Sequence, residues 1–204
     1  MIILQNVCFN RNQGKEMDFY RKFAAILILL FITAAVAALP ARGQDRKAGE
    51  YEVKAAFIYN LAKFVEWPGK SLDNISTLTL YIIGDDPFGT DMDAIRDKLI
   101  KGKRIVVKQI DSPDALKNAG ILFISSSEKE QLRDILKGIS GLPILTVGDT
   151  KSFAQRGVMV NFYLENNKIR FEINLEAANL AGLKISSNLL RMGTIIAPPK
   201  GKEK

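Results

Sequence analysis

The pattern of apolar and polar positions divides the chain into an uncharged run, one long helical stretch and a series of short apolar strands separated by polar turns. From Glu50 to Trp67, Val53, Phe57, Leu61, Phe64 and Val65 recur at helical spacing. This predicts a helix that buries Phe57 and Phe64 and stops at Pro68-Gly69. Thr77 to Ile83 predicts a strand. Gly84-Asp85-Asp86-Pro87 then reads as a turn into a helix reaching about Ile100, with Asp86 as N-cap and Pro87 in the first position. Lys103 to Ile110 predicts a second strand, and Ser112-Pro113-Asp114 opens a short helix by the same cap-then-proline logic. Ile121 to Ser125 is a third strand. Ser127-Glu128-Lys129-Glu130 fits a capping box ahead of a helix with Leu132, Ile135 and Leu136 on its buried face. Pro143 to Val147 is a fourth strand, and Asp149 or Thr150 caps a short helix ending near Arg156-Gly157.

The pattern then changes. Val158 to Leu164 and Lys168 to Ile173 are strand-like runs about Asn166-Asn167, and asparagine tolerates the positive φ of a tight hairpin turn. Asn174 caps a helix that ends at Gly182. A last helix runs from about Ser186 to Met192, and Pro198-Pro199 opens a tail over 198–204. Four strand–helix units in series imply a parallel sheet covered on both faces. The expectation is one three-layer α/β domain over about residues 48–197. Its sheet is mainly parallel, with a C-terminal antiparallel hairpin supplying the edge strand.

The start of the chain changes the picture of where the protein works. Arg21 and Lys22 precede the uncharged run Phe23 to Leu39, and small residues follow at once. A positive flank, a short apolar run and small residues predict a secretory signal within residues 1–43. Cleavage is expected after Ala41 or Gly43, with Ala37 as a third site, and Met17 is an alternative start. An uncleaved anchor is the competing reading, since the run has the shortest length that spans a bilayer. The expected location is the periplasm. After position 41 the chain holds 25 basic and 20 acidic residues, +5 against +7 for the whole. That mild balance suits an exported protein near an anionic membrane surface. No dense Lys/Arg patch interleaved with aromatics points to nucleic acid. Lys200-Gly-Lys-Glu-Lys204 reads as a solvated end.

The catalytic vocabulary is sparse. The sequence has no histidine, and its one cysteine, Cys8, precedes the expected cleavage site. This removes the commonest general base, the thiol nucleophile and thiolate metal ligands from the processed chain. A Ser-His-Asp triad is impossible, and no G-x-S-x-G, G-x-G-x-x-G or Walker-type loop follows a strand. Asp85, Asp111 and Asp149 follow strands, where the crevice of a parallel sheet lies, and three such acids could hold Mg²⁺. Asp86 and Asp149 also fit ordinary helix caps, which weighs against that reading. Asp85, Asp86, Phe88 and Asp149 define a candidate small-ligand crevice. Tyr59 and Trp67, with Leu183, Ile185 and Leu189 of the C-terminal amphipathic segment, are candidate partner contacts. Burial against the sheet is the favoured reading for Leu183, Ile185 and Leu189, while Tyr59 and Trp67 stay open. No cofactor and no metal is expected.

Several segments together resemble the YfiR-like family of small periplasmic proteins. They are Val53-Lys54-Ala55-Ala56-Phe57-Ile58-Tyr59-Asn60, Lys63-Phe64-Val65-Glu66-Trp67-Pro68 and Gly84-Asp85-Asp86-Pro87-Phe88-Gly89. To these add Ile144-Leu145-Thr146-Val147, Ile169-Arg170-Phe171-Glu172-Ile173-Asn174 and Leu183-Lys184-Ile185-Ser186-Ser187-Asn188-Leu189-Leu190. The resemblance spans about Tyr51 to Arg191. It implies a non-enzymatic periplasmic regulator that binds the periplasmic part of an inner-membrane diguanylate cyclase or histidine kinase and represses or modulates its output. In the cyclase case, release raises cyclic di-GMP and favours biofilm formation. It also makes a homodimer an open expectation, with the membrane reached only through the partner or an uncleaved signal. A periplasmic small-ligand sensor is the alternative, followed by the Mg²⁺-dependent acid-cluster enzyme. The chain departs from the family at Ala119, where members often carry a cysteine used in a disulfide, and at Arg156, where they often have glycine.

Overall fold

The computed structural model describes residues 44–73, 75–116 and 118–196, with side chains described from Gly49 onward. The expected signal and cleavage sites, and the tail at 198–204, lie outside the described residues.

The first helix, α1 (Gln44–Lys63), leads into a short strand β1 (Val65–Glu66). Next come β2 (Thr77–Ile83), β3 (Leu99–Ile100), β4 (Lys103–Ile110), β5 (Gly120–Ile124), α2 (Leu132–Gly138) and β6 (Ile144–Gly148). The chain closes with β7 (Val160–Glu165), β8 (Lys168–Ile173), α3 (Leu175–Leu180), β9 (Lys184–Ile185), α4 (Ser187–Leu190) and β10 (Thr194–Ile195). Eight strands form one sheet in the order β10-β8-β7-β6-β5-β2-β4-β3. The run β4-β2-β5-β6-β7 is parallel throughout. β8 returns antiparallel to β7. β10 then adds in parallel outside β8, so the hairpin is not the sheet edge as expected; β10 is. At the opposite edge β3 folds back antiparallel on β4.

The layers follow from strand composition. All five residues of β5 are buried, because a central parallel strand is covered on both faces. Ile121 and Phe123 point into one core, Leu122 and Ile124 into the other. The first core also holds Ile58 and Leu61 of α1, Ala178 of α3 and Leu189 of α4. The second holds Leu132 and Ile135 of α2, with Phe153 and Val158. The result is an α/β domain with helices on both faces of a mostly parallel sheet.

The buried face of α1 is rotated from the expected one: Leu61, and Val65 beyond the helix end, are buried as expected, but Val53, Phe57 and Phe64 are not. Ala55, Ile58, Leu61 and Ala62 are buried, with Lys54 among them. Val53 is exposed, and Phe57 is half-buried, edge-on to Phe162 with ring centres 6.0 Å apart. Phe64 lies past the helix end and is 36% exposed rather than a core anchor. The helix stops at Lys63, five residues before Pro68, and the proline disfavours helical geometry in Trp67, the residue it follows. Val65 and Trp67 then alternate into the core at strand spacing. β1 pairs with β9, Val65 opposite Ile185 and Glu66 opposite Lys184.

Other short elements depart from their expected caps. Asp86 closes a local turn by accepting the Phe88 N–H at 2.8 Å. Only a 3₁₀ turn, Gly89–Ala94, follows where a helix to Ile100 is expected. Ser127 accepts the Asp85 N–H instead of opening a capping box, and α2 starts after Gln131 with no side-chain cap. Asn174 and Ser112 do cap as expected, accepting from Ala177 and Asp114, and Ser186 caps the last helix by accepting from Leu189. Asn166 and Asn167 take φ of 50° and 60° at the tip of the β7–β8 hairpin.

Gly84 has φ +85°, and a Cβ there would collide with the Ser127 hydroxyl. Gly84→Ala therefore combines a disfavoured backbone with a clash at the end of β2. It is expected to cost at least about 2 kcal/mol, read as a lowered urea midpoint with unchanged slope.

Candidate functional site

Lysine is the residue least expected on a buried helix stripe, and Lys54 is 4% exposed. Burying an ammonium is unfavourable unless it is paired. Lys54 Nζ donates to Asp149 Oδ2 at 2.7 Å and to Glu50 Oε1 at 2.6 Å. Glu50 precedes Lys54 by one helical turn, the favourable order for such a pair. Nζ also lies 4.2 Å from the centre of the Tyr51 ring. The Tyr51 hydroxyl donates to the same Asp149 oxygen at 2.9 Å. Asp149 follows β6 directly, so the cluster pins the first half of α1 to the exit of a central strand.

Tyr51 extends the cluster sideways. Its ring meets Phe88 edge-on at 5.2 Å, and Phe88 in turn meets Phe123 of β5 at 4.7 Å. Burial, then the Asp149 charge, then the hydrogen bond donated to Asp149, then Glu50, push the Tyr51 hydroxyl pKa above its ordinary range. The phenol therefore stays protonated and acts as a donor.

A cleft of about 510 Å³ opens beside this cluster, with Asp149, Lys54, Lys151, Asn161, Tyr163 and Glu172 in its wall. Gln155 donates to Glu172 at 3.2 Å across it. Asn161, on β7, is 2% exposed, and its side-chain oxygen has no hydrogen-bond partner among the described residues. A Cβ on Gly148 would stand 3.3 Å from that oxygen, so the absent side chain leaves it room.

The residues singled out from the sequence fall into separate places. Asp149 lies in the ion cluster and is not a helix cap; only a 3₁₀ turn, Ala154–Arg156, follows it. Phe88 is core and touches the cluster through Tyr51. Asp85 and Asp86 are exposed. Asp85 meets Ser125 and Ser127 through its backbone. Asp111 is exposed on its own loop. Among the described residues, no three acids gather in a group that could hold a metal, so Asp85, Asp111 and Asp149 form no Mg²⁺ cluster there. Trp67, Leu183, Ile185 and Leu189 pack inside the domain, and the Trp67 indole N–H has no partner. Tyr59 is half-buried, between Lys63 at 3.8 Å and Lys98 at 5.2 Å from its ring centre. The Lys54–Asp149 pair and Asn161 are absent from the sequence-based site. Lys54 stands one and two turns before Ile58 and Leu61, and that spacing is the signal for its burial.

Two outcomes test this cluster. Asp149→Ala strands a buried ammonium with one carboxylate and is expected to destabilise by about 3–5 kcal/mol in urea denaturation. Tyr51 has a raised native pKa, so its contribution is complete below its unfolded pKa of about 10 and is lost as pH rises beyond it. Tyr51→Phe is expected to cost about 1 kcal/mol near neutral pH, and the deficit is expected to narrow in urea titrations above about pH 10.

The sequence profile of the YfiR/HmsC-like family (DUF4154) matches residues 51–194, which contain Tyr51, Lys54 and Asp149. Among solved structures, the chain is similar to a conserved domain protein from Vibrio cholerae O1 biovar eltor. That likeness has 10% sequence identity and a TM-score of 0.46, over 71% of this chain and 59% of the other. The chain thus spans less than two thirds of that protein's length, and the likeness carries no argument. The family match covers most of the chain, from the start of the ion cluster to the last strand, and on it the chain belongs to the YfiR/HmsC-like family.

Proposed function

We propose that this protein is a non-enzymatic periplasmic regulator that binds the periplasmic part of an inner-membrane signalling protein, a diguanylate cyclase or histidine kinase, and represses or modulates its output. The observation that carries this reading is the family match over residues 51–194. The chemistry of the chain agrees with it. The sequence offers no histidine, and its acidic candidate Asp149 is taken up by Lys54 and Tyr51. Among the described residues no helix is long and apolar enough to cross a membrane. Regulation of this kind works by differential affinity: the domain prefers the inactive form of its partner and shifts the population towards it.

Of the partner contacts expected from the sequence, Tyr59 reaches the surface as the domain stands. Trp67, Leu183, Ile185 and Leu189 would reach a partner only if the β1–β9 ribbon opened. Exposing each such side chain costs about 1.5–3 kcal/mol, so this route needs a partner that returns several times that amount.

The test is capture of the full chain, tagged at its C-terminus and expressed in its own host, from solubilised membranes after cross-linking. Enrichment of one inner-membrane cyclase or kinase, with altered output when this chain is deleted, is the expected result. No such protein in membranes where the candidate is expressed would overturn the reading. The small-ligand alternative is favoured by one observation, the unpartnered Asn161 oxygen beside the cleft of about 510 Å³. It predicts a melting temperature that rises with a metabolite from a periplasmic extract and no longer does so in Asn161→Leu.

A further inference from the structure

The β3–β4 hairpin concentrates positive charge around one exposed leucine. Between Asp93 and Arg104 the sequence holds Arg96, Lys98, Lys101, Lys103 and Arg104 against two carboxylates, Asp93 and Asp97. Arg96 pairs with Asp93 at 2.6 Å, and Arg104 reaches Asp97 only at 3.7 Å with both side chains well exposed. Among the described residues Lys98, Lys101 and Lys103 have no carboxylate within salt-bridge distance. Leu99 is 59% exposed and stands opposite Arg104, while its neighbour Ile100, opposite Lys103, is buried. The turn joining the strands, Lys101-Gly102, has φ of 51° and 76°. A lysine thus occupies a left-handed position that asparagine or glycine fills more easily.

Tyr59 fixes this hairpin to α1. Its hydroxyl donates to the Leu99 carbonyl at 3.5 Å, and its ring lies between Lys63 and Lys98. The patch therefore gains Lys63 from the helix and is held by structure on both sides. A solvated charge run would need neither the exposed leucine nor the anchoring tyrosine.

We infer that the tip of this hairpin, with Leu99 and Arg104 on one side, Lys63, Lys98 and Lys103 on the other and Lys101 at the turn, docks the domain on an anionic phospholipid surface. Each cation near such a surface is attracted to it, and an apolar tip among cations enters the headgroup region while the lysine stems extend outward. The edge of the sheet would then face the bilayer and set the orientation of the domain. The inference goes beyond the regulator reading and adds a direct membrane contact to one made through a partner.

The test uses protein recovered from the periplasm, its N-terminus read by mass spectrometry, and co-sedimentation with vesicles. One set is phosphatidylcholine alone; the other contains about a third phosphatidylglycerol, a physiological anionic load. Partition is expected to be about tenfold or more higher on the anionic vesicles and to fall steeply with salt. Lys101→Glu/Lys103→Glu is expected to lose about tenfold or more. Leu99→Ser is expected to lose about threefold or more. The double reversal Lys129→Glu/Lys137→Glu, with the same net charge change on other elements, should lose much less. Equal binding to both vesicle types, equal loss in the two double reversals, or wild-type binding by Leu99→Ser would each overturn the inference. Equal binding that no variant alters would indicate a retained N-terminal apolar run. The vesicles contain no protein, so this result is independent of partner capture.

Discussion

One buried ammonium fixes the position of the first helix on the sheet. Lys54 can lie under α1 only where Asp149 waits at the end of β6, because elsewhere on that face it would meet Leu145, Val147 and Phe162. A shift of one helical turn would leave the Asp149 carboxylate buried and unpaired and Lys54 with Glu50 alone. The pair is not needed for net stability, since apolar residues of similar volume often serve as well in such places. Its effect is selective: the right docking costs little and the wrong ones cost a great deal. Ala55 and Ala62 complete the arrangement, since small side chains let the helix backbone approach the strands.

The other end of α1 is fixed by backbone. β1 and β9 exchange hydrogen bonds, and the Ser186 N–H donates to the Phe64 carbonyl at 3.0 Å. Two segments that carry the family resemblance, Lys63 to Pro68 and Leu183 to Leu190, are therefore partners in space though far apart in the chain. Their apolar residues close the end of one core, which accounts for the burial of Trp67 and Leu189. The first helix is thus held by an ion pair at one end and a two-stranded ribbon at the other.

The sheet was legible because its signals are local. β2 and β4 fall within the expected ranges, β5 and β6 are displaced by one residue, and the Asn166-Asn167 turn sets the hairpin register through backbone preference alone. The misread parts depend on distant residues. Ser127 has the spacing of a capping box, but the Asp85 N–H, 42 positions earlier, claims its hydroxyl. Asp149 has the position of a cap, but the α1 side chains Tyr51 and Lys54 claim its carboxylate. The expected stripe of α1 runs through Val53, Phe57, Leu61, Phe64 and Val65; Leu61 and Val65 are buried, but Val53, Phe57 and Phe64 stand one residue before the positions that pack, because counting lysine as polar rotates the apolar face by about 100°. Lys54, Ile58, Leu61 and Val65 is the stripe that packs.

The same cluster bears on where function can sit. Asp149 accepts from Lys54 and Tyr51 through one oxygen, Oδ2, and Glu50 joins the cluster through Lys54. Next to it, the Asn161 amide is buried without such satisfaction, and an unmet polar atom carries a cost that a bound molecule could remove. The contrast separates the two roles within a few side chains: the ion cluster sets the helix on the sheet, and the cleft beyond it keeps the unused polar capacity.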